Sequence, residues 1–159
     1  MPMRRPAGIW LVLGLCLASV GMAASAPATR LRHASRYAAG EMPASARSYY
    51  SATWGVDQLR AQLAESGQLV RFSYRIVDAR LAKPLLDKVS NPSLLDERAG
   101  AVLSVPTMEK VGPLRQSGAA EAGKTYWVLF SNKGGVVTAG DRVSVVIGSF
   151  RVDGLIVAN

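Results

Sequence analysis

The chain has 159 residues, 19 Lys and Arg against 11 Asp and Glu, a net charge of +8, one cysteine and one histidine. That length suits a single domain behind a targeting segment. One cysteine excludes an internal disulfide, and one histidine excludes metal centres built from several imidazoles.

Arg4 and Arg5 precede an uncharged apolar run from Ile9 to Gly21, and small residues follow from Ala23 to Ala28. This is the order of a signal peptide, and the run is short for a hydrocarbon core of about 30 Å. Cleavage after Ala26 fits an A-x-A site, with Ala24 and Ala26 at the small positions. Pro27 disfavours that cut, so Ala23, Ser25 and Ala28 stay open as alternatives. Cys16 is a poor lipidation site because Leu15 stands where a small residue is expected, and Pro6 spoils a twin-arginine signal at Arg4 and Arg5. The expectation is a signal peptide over residues 1–26 and a periplasmic or extracellular product. It has no integral membrane span after cleavage and is membrane-tethered if the segment stays attached. Cleavage removes Cys16, so the mature chain must rely on a packed core rather than on disulfides.

Residues 27–48 carry Arg30, Arg32, Arg36 and Arg47 against Glu41, with Leu31, Tyr37 and Met42 as the main apolar side chains. So little apolar surface does not offset the entropy of ordering, and a flexible basic linker is expected. A short helix over Leu31 to Ala39 is an alternative, marginal on its own. The folded domain is expected over residues 49–159, where positive and negative side chains are nearly balanced and interspersed. That pattern argues against nucleic-acid binding.

Val56 to Ala64 fits two periods. Val56, Leu59 and Leu63 suit a helix; Leu59, Ala61 and Leu63 suit a strand. The strand is favoured because Glu65-Ser66-Gly67-Gln68 then turns into an unambiguous one, in which Val70, Phe72, Tyr74 and Ile76 alternate with Arg71, Ser73 and Arg75. Asp78 is placed to cap a helical turn over Ala79 to Ala82, with Pro84 as its stop. Ser93 to Leu95 and Ala101 to Val105 read as short strands around the polar turn Asp96 to Gly100. A long loop follows from Thr107 to Gly123. Lys124 to Ser131 is apolar on both parities, as in a strand covered on both faces. Val143, Val145 and Ile147 form the next strand, and Phe150 to Val157 either continues it or pairs back across Asp153-Gly154. The predicted fold is all-β, an immunoglobulin-like antiparallel β-sandwich of about seven strands, preceded by the signal peptide and linker.

Gly118-Ala119-Ala120-Glu121-Ala122-Gly123-Lys124-Thr125 matches the phosphate-loop pattern letter for letter. Its context is wrong, because the motif needs a strand before it and a helix after it, and a β run follows Thr125. It reads as a loop entering a strand. His33 lies in the expected linker, so the domain offers no imidazole or thiol for a metal, a serine triad or a thiol nucleophile. Asp141-Arg142 and Glu97-Arg98 place acids beside cations, which suits solvated or turn-capping roles better than paired-carboxylate catalysis. Tyr126 and Trp127 point to opposite faces of one strand, so at least one belongs to the core.

Several segments together carry a resemblance: W-G-V at 54–56, R-F-S-Y-R-I-V-D at 71–78, V-P-T-M-E-K-V-G-P-L-R-Q at 105–116, G-K-T-Y-W-V-L-F-S-N-K-G at 123–134 and G-D-R-V-S-V-V-I-G-S-F at 140–150. They resemble a set of exported bacterial proteins of unassigned function. The resemblance spans most of the mature domain, implies an export signal and an immunoglobulin-like body, and supplies no active-site residue. The expected function is therefore a non-enzymatic periplasmic or cell-surface module with no cofactor, binding an envelope or periplasmic protein. Edge strands or the 107–123 loop, with Glu109, Lys110 and Arg115, would make the contact. The alternative is a domain that binds carbohydrate or another envelope polymer through Trp54 or Tyr126 beside basic residues.

Overall fold

The computed structural model describes residues 42–159; the expected signal peptide, its cleavage site and most of the expected linker lie outside them. The described chain opens with a helix, α1 (Ala44–Trp54), then two strands, β1 (Val56–Ala64) and β2 (Leu69–Ile76), and a one-turn helix, α2 (Lys83–Leu86). β3 (Ser93–Asp96) and β4 (Ala101–Ser104) precede a small hairpin, β5 (Thr107–Met108) and β6 (Gly112–Pro113). β7 (Thr125–Ser131), β8 (Arg142–Ile147) and β9 (Phe150–Ala158) complete the fold.

Seven strands form one sheet in the order β4-β3-β8-β9-β1-β2-β7. Every pairing in it is antiparallel except that of β1 with β9, where Ala61 and Gln62 lie beside Val157 and Ala158 in parallel. β9 joins two halves: its first residues pair with β8 and its last two with β1. β4 and β7, at opposite ends of the order, approach each other, so the halves close over one core. The partition into β1-β2-β7 and β4-β3-β8-β9 is that of the A-B-E and C′-C-F-G sheets of immunoglobulin-type sandwiches. The fold is the expected all-β one, with a mixed rather than purely antiparallel sheet.

The core follows from strict alternation. Val70, Phe72, Tyr74 and Ile76 of β2 are all fully buried, and Val128 and Phe130 of β7 face them beside Tyr126. From the other half come Leu94, Val143, Val145, Ile147, Phe150 and Val152. β1 breaks the period with a bulge: Gln58 takes a positive φ of 50° and the register with β2 shifts between Asp57 and Arg60. The extra residue turns Val56 and Leu59, three apart, to the same buried side. The helix-like spacing in the sequence is thus the imprint of a bulged strand.

Three local expectations are corrected. α1 takes in the last residues of the stretch expected as linker, although none of its residues is fully buried and no side chain caps its start. Tyr50 and Trp54 hold it by packing on Phe150, at ring-centroid distances of 6.0 and 5.4 Å. Gly55 ends it at φ 62° and accepts hydrogen bonds from the backbone N–H groups of Val77 and Asp78. A Cβ at Gly55 would lie 2.5 Å from the Asp78 carbonyl oxygen, so only glycine fits. Pro84 lies in the first turn of α2 rather than stopping the turn that Asp78 caps, because the first helical N–H groups have no intrahelical partner to lose. β9 pairs back across Gly148-Ser149, with Gly148 at φ 58° as a II′ turn requires, and Asp153-Gly154 lies inside the strand.

Two ion pairs staple the surface. Arg75 donates to both carboxylate oxygens of Asp57 at 2.9 and 2.6 Å, and Arg98 does the same to Asp141 at 2.9 and 2.7 Å. The Arg98 bonds, with the backbone and hydroxyl of Thr138, hold Asp141 down at about 2. Asp57 is lowered chiefly by Arg75, and Asp78 by the backbone N–H groups of Arg80 and Leu81. A carboxylate with a depressed folded pKa stabilises the fold fully above its unfolded value, near 4, and loses that contribution as pH falls through the folded value. Urea midpoints are therefore expected to stay level from pH 7 to about 5 and to fall steadily from pH 4 to 2. Arg98→Gln should flatten the lower part of that fall; an unchanged acid limb would remove Asp141 as its source.

Candidate functional site

The 107–123 segment, expected as a loop, contains a built hairpin. Thr107 pairs with Pro113 and Met108 with Gly112, and the Val111 N–H donates to the Met108 carbonyl. Gly112 supplies a positive φ of 81°. Met108, Glu109, Lys110 and Val111 form the tip and all are exposed.

The hairpin's base is anchored on three sides. Leu114 donates to Pro106, Leu129 of β7 donates to Leu114, and Gln116 donates to Trp127. The Gln116 side chain accepts from the Trp127 N–H at 3.1 Å, so residues 114–116 cover the outer edge of β7. Arg115 then reaches inward. Its guanidinium donates to the carbonyls of Leu85 (3.0 Å), Asp87 (3.1 Å) and Ser90, tying the α2 region to the hairpin's root. Desolvation holds this guanidinium below its ordinary pKa, while Tyr74 and Asp87 act in the opposite sense. Burial likewise raises the phenol of Tyr74, whose hydroxyl has no hydrogen-bond partner.

The five sequence-derived candidates therefore separate. Glu109 and Lys110 sit together on the exposed tip. Arg115 is a clamp whose two terminal nitrogens bond backbone carbonyls, while its buried Nε has no partner. Tyr126 is 8% exposed, stacks on Tyr74 at 6.1 Å, and its hydroxyl donates to Ala119 and accepts from the Glu121 N–H. Trp54 lies edge-on to Phe150 and secures α1. The phosphate-loop look-alike enters β7 directly, with no helix after it, and Lys124 pairs with Glu121 at 2.6 Å.

Two features escaped the sequence reading. Met108 and Val111 flank the tip charges with 52% and 72% exposure. Trp127, on the outward parity of β7, is half-buried with the Arg71 guanidinium 5.8 Å from its ring centre. The alternation of β2 places Arg71 outward. What a linear reading lacked was the β2–β7 register, which sets Arg71 opposite Leu129 and diagonal to Trp127.

No family model matches this chain, and no curated protein or solved structure matches it. Among the described residues no group of three or more His, Cys, Asp or Glu is placed to hold a metal ion. No helix among them is long and apolar enough to cross a membrane. What the hairpin geometry offers is presentation: a short charged and apolar tip on a root that cannot shift without breaking a chain of hydrogen bonds.

Proposed function

We propose that this protein is an exported, non-enzymatic β-sandwich module that binds a protein partner through the tip of the β5–β6 hairpin. The observation that carries this reading is the pairing of a bonded root with an exposed tip. Met108 and Val111 offer apolar contact area, and Glu109 and Lys110 offer charges of both signs for orientation. Fixing the root before binding lowers the ordering cost that a free loop would meet on association. Export rests on the order of basic, apolar and small residues ahead of the domain. Four tip residues bury far less than the roughly 1,000 Å² of a stable interface, so the contact belongs to the weak, reversible class unless neighbouring surface joins it.

The test is chemical cross-linking of the full chain in an envelope-protein fraction. Met108→Ser with Val111→Ser is expected to lose the cross-linked species while keeping the wild-type thermal midpoint. Val89→Ser, at a more exposed apolar position outside the hairpin's tip, should keep the cross-linked species. Identical cross-links from all three proteins would refute the hairpin as the contact.

A further inference from the structure

The outer face of β1-β2-β7 has a composition that solvation alone does not explain. Reading across the register, one row holds Asp57, Arg75 and Thr125, the next Arg60, Ser73 and Trp127, the next Gln62, Arg71 and Leu129, and the last Ala64, Leu69 and Ser131. Arg75 is neutralised by Asp57. Among the described residues neither Arg60 nor Arg71 forms an ion pair, so two cations on this face are uncompensated. A shallow groove of about 260 Å³ runs here, lined by Ala64, Glu65, Leu69, Arg71, Trp127 and Leu129. Its floor is apolar and aromatic, its cation is Arg71, and Glu65 is the one acid at its rim.

We propose that this groove binds an acidic sugar residue within an anionic polysaccharide. The flat C–H face of a pyranose matches the uncovered part of the Trp127 indole together with Leu69 and Leu129. A ring carboxylate matches the planar fork of the Arg71 guanidinium, which donates to both oxygens at once. Contact with the indole already orients that guanidinium, so little side-chain freedom is lost on binding. The groove is shallow and lies on a sheet face, which suits one ring of a chain passing over it better than a small molecule enclosed on all sides.

An acidic peptide matches the charge but not the geometry. Peptides dock on sheets chiefly by adding a strand at an edge. β2 is an internal strand, and the outer edge of β7 is occupied by residues 114–116. The remaining attraction for a peptide is long-range charge, which salt screens.

Tryptophan emission of the full chain, titrated with oligogalacturonate, tests the site. Emission should change in the wild type and in Trp54→Phe, and not in Trp127→Phe. Arg71→Ala should weaken the binding about tenfold or more, a loss of one charge-assisted contact. Neutral dextran should produce no change. Arg71→Lys, which keeps the charge and loses the fork, should recover only part of the affinity and serves if the alanine variant fails to fold. An oligogalacturonate response that survives Trp127→Phe, or no response in the wild type, overturns the proposal. Equal affinity for poly-L-glutamate overturns it in favour of an acidic peptide.

Discussion

Phe150→Ala should lower the unfolding free energy by about 4 kcal/mol, within the range for deleting a buried aromatic ring. Phe150 is fully buried at the start of β9 and touches three rings: Tyr50 and Trp54 of α1, and Phe72 of β2 at 6.4 Å. One side chain therefore joins the helix to the sandwich and one half of the sandwich to the other. α1 has no fully buried residue of its own, so little else is available to replace the lost contact. Two readouts separate the effects. The urea midpoint should fall, and the emission of Trp54 should shift to the red as water reaches an indole that lost its neighbour. Phe150→Leu should retain more than half of the stability, since a branched aliphatic side chain refills part of the cavity. A loss below about 1 kcal/mol for the alanine variant would mean that the surroundings collapse freely, against the interlocked ring cluster.

Asn132→Ala should cost about 3 kcal/mol, and it does so without creating a large cavity. Asn132 is 1% exposed. Its amide nitrogen donates to the carbonyls of Gly67 and Val137, both at 2.8 Å, and its amide oxygen accepts from the Val137 N–H at 3.0 Å. The side chain thus binds the β1–β2 turn to the connection between β7 and β8. Its own backbone N–H adds a fourth link by donating to Gln68. Alanine would leave the buried Val137 N–H and carbonyl unpaired, and an unpaired buried group costs roughly 1–3 kcal/mol. Asn132→Asp is the sharper variant. A carboxylate would face two carbonyl oxygens in place of a donor, so its loss at pH 7 should exceed that of alanine. Part of it should return at pH 4 as the carboxyl protonates. Equilibrium urea unfolding at the two pH values measures both; an aspartate variant as stable as wild type at pH 7 would show that this network contributes little.

Both residues also show how far a linear reading reaches. The alternation of Val70 to Ile76 announced β2 and its buried face without help, because a strand with one wet side has only one way to satisfy that pattern. The same logic gave Val143 to Ile147, whereas the polar turn at 96–100 marked the strand expected over Ala101 to Val105, of which Ala101–Ser104 form β4. β1 was harder: the bulge at Gln58 set Val56 and Leu59 three apart, and only the turn at 65–68 tipped the balance toward a strand. Asp153-Gly154 has the composition of a turn and lies inside β9, since a two-residue turn was already supplied by Gly148-Ser149 and the β8 pairing overrode the local preference. α1 escaped notice because its stability is not local. Its contact with Phe150 crosses about a hundred positions of the chain, and no periodicity reports such a partner.

The candidate site divides in the same way. Glu109 and Lys110 were legible as part of a long segment carrying charge, and they are on the surface that segment presents. Arg115 looked the same in sequence, yet its fork meets three backbone carbonyls. Tyr126 and Trp127 were legible as opposite-facing neighbours; which of them lay inward was not. Composition and alternation by themselves determined the β class, the strands with one wet face and the want of imidazole and thiol chemistry in the domain, because those follow from residue type and from a period of two. Tertiary structure alone decided which charges are spent and which are free, which aromatic is covered, and where the hairpin stands. Each of those depends on a neighbour distant in the chain, brought close only when the two halves of the sheet close over one core.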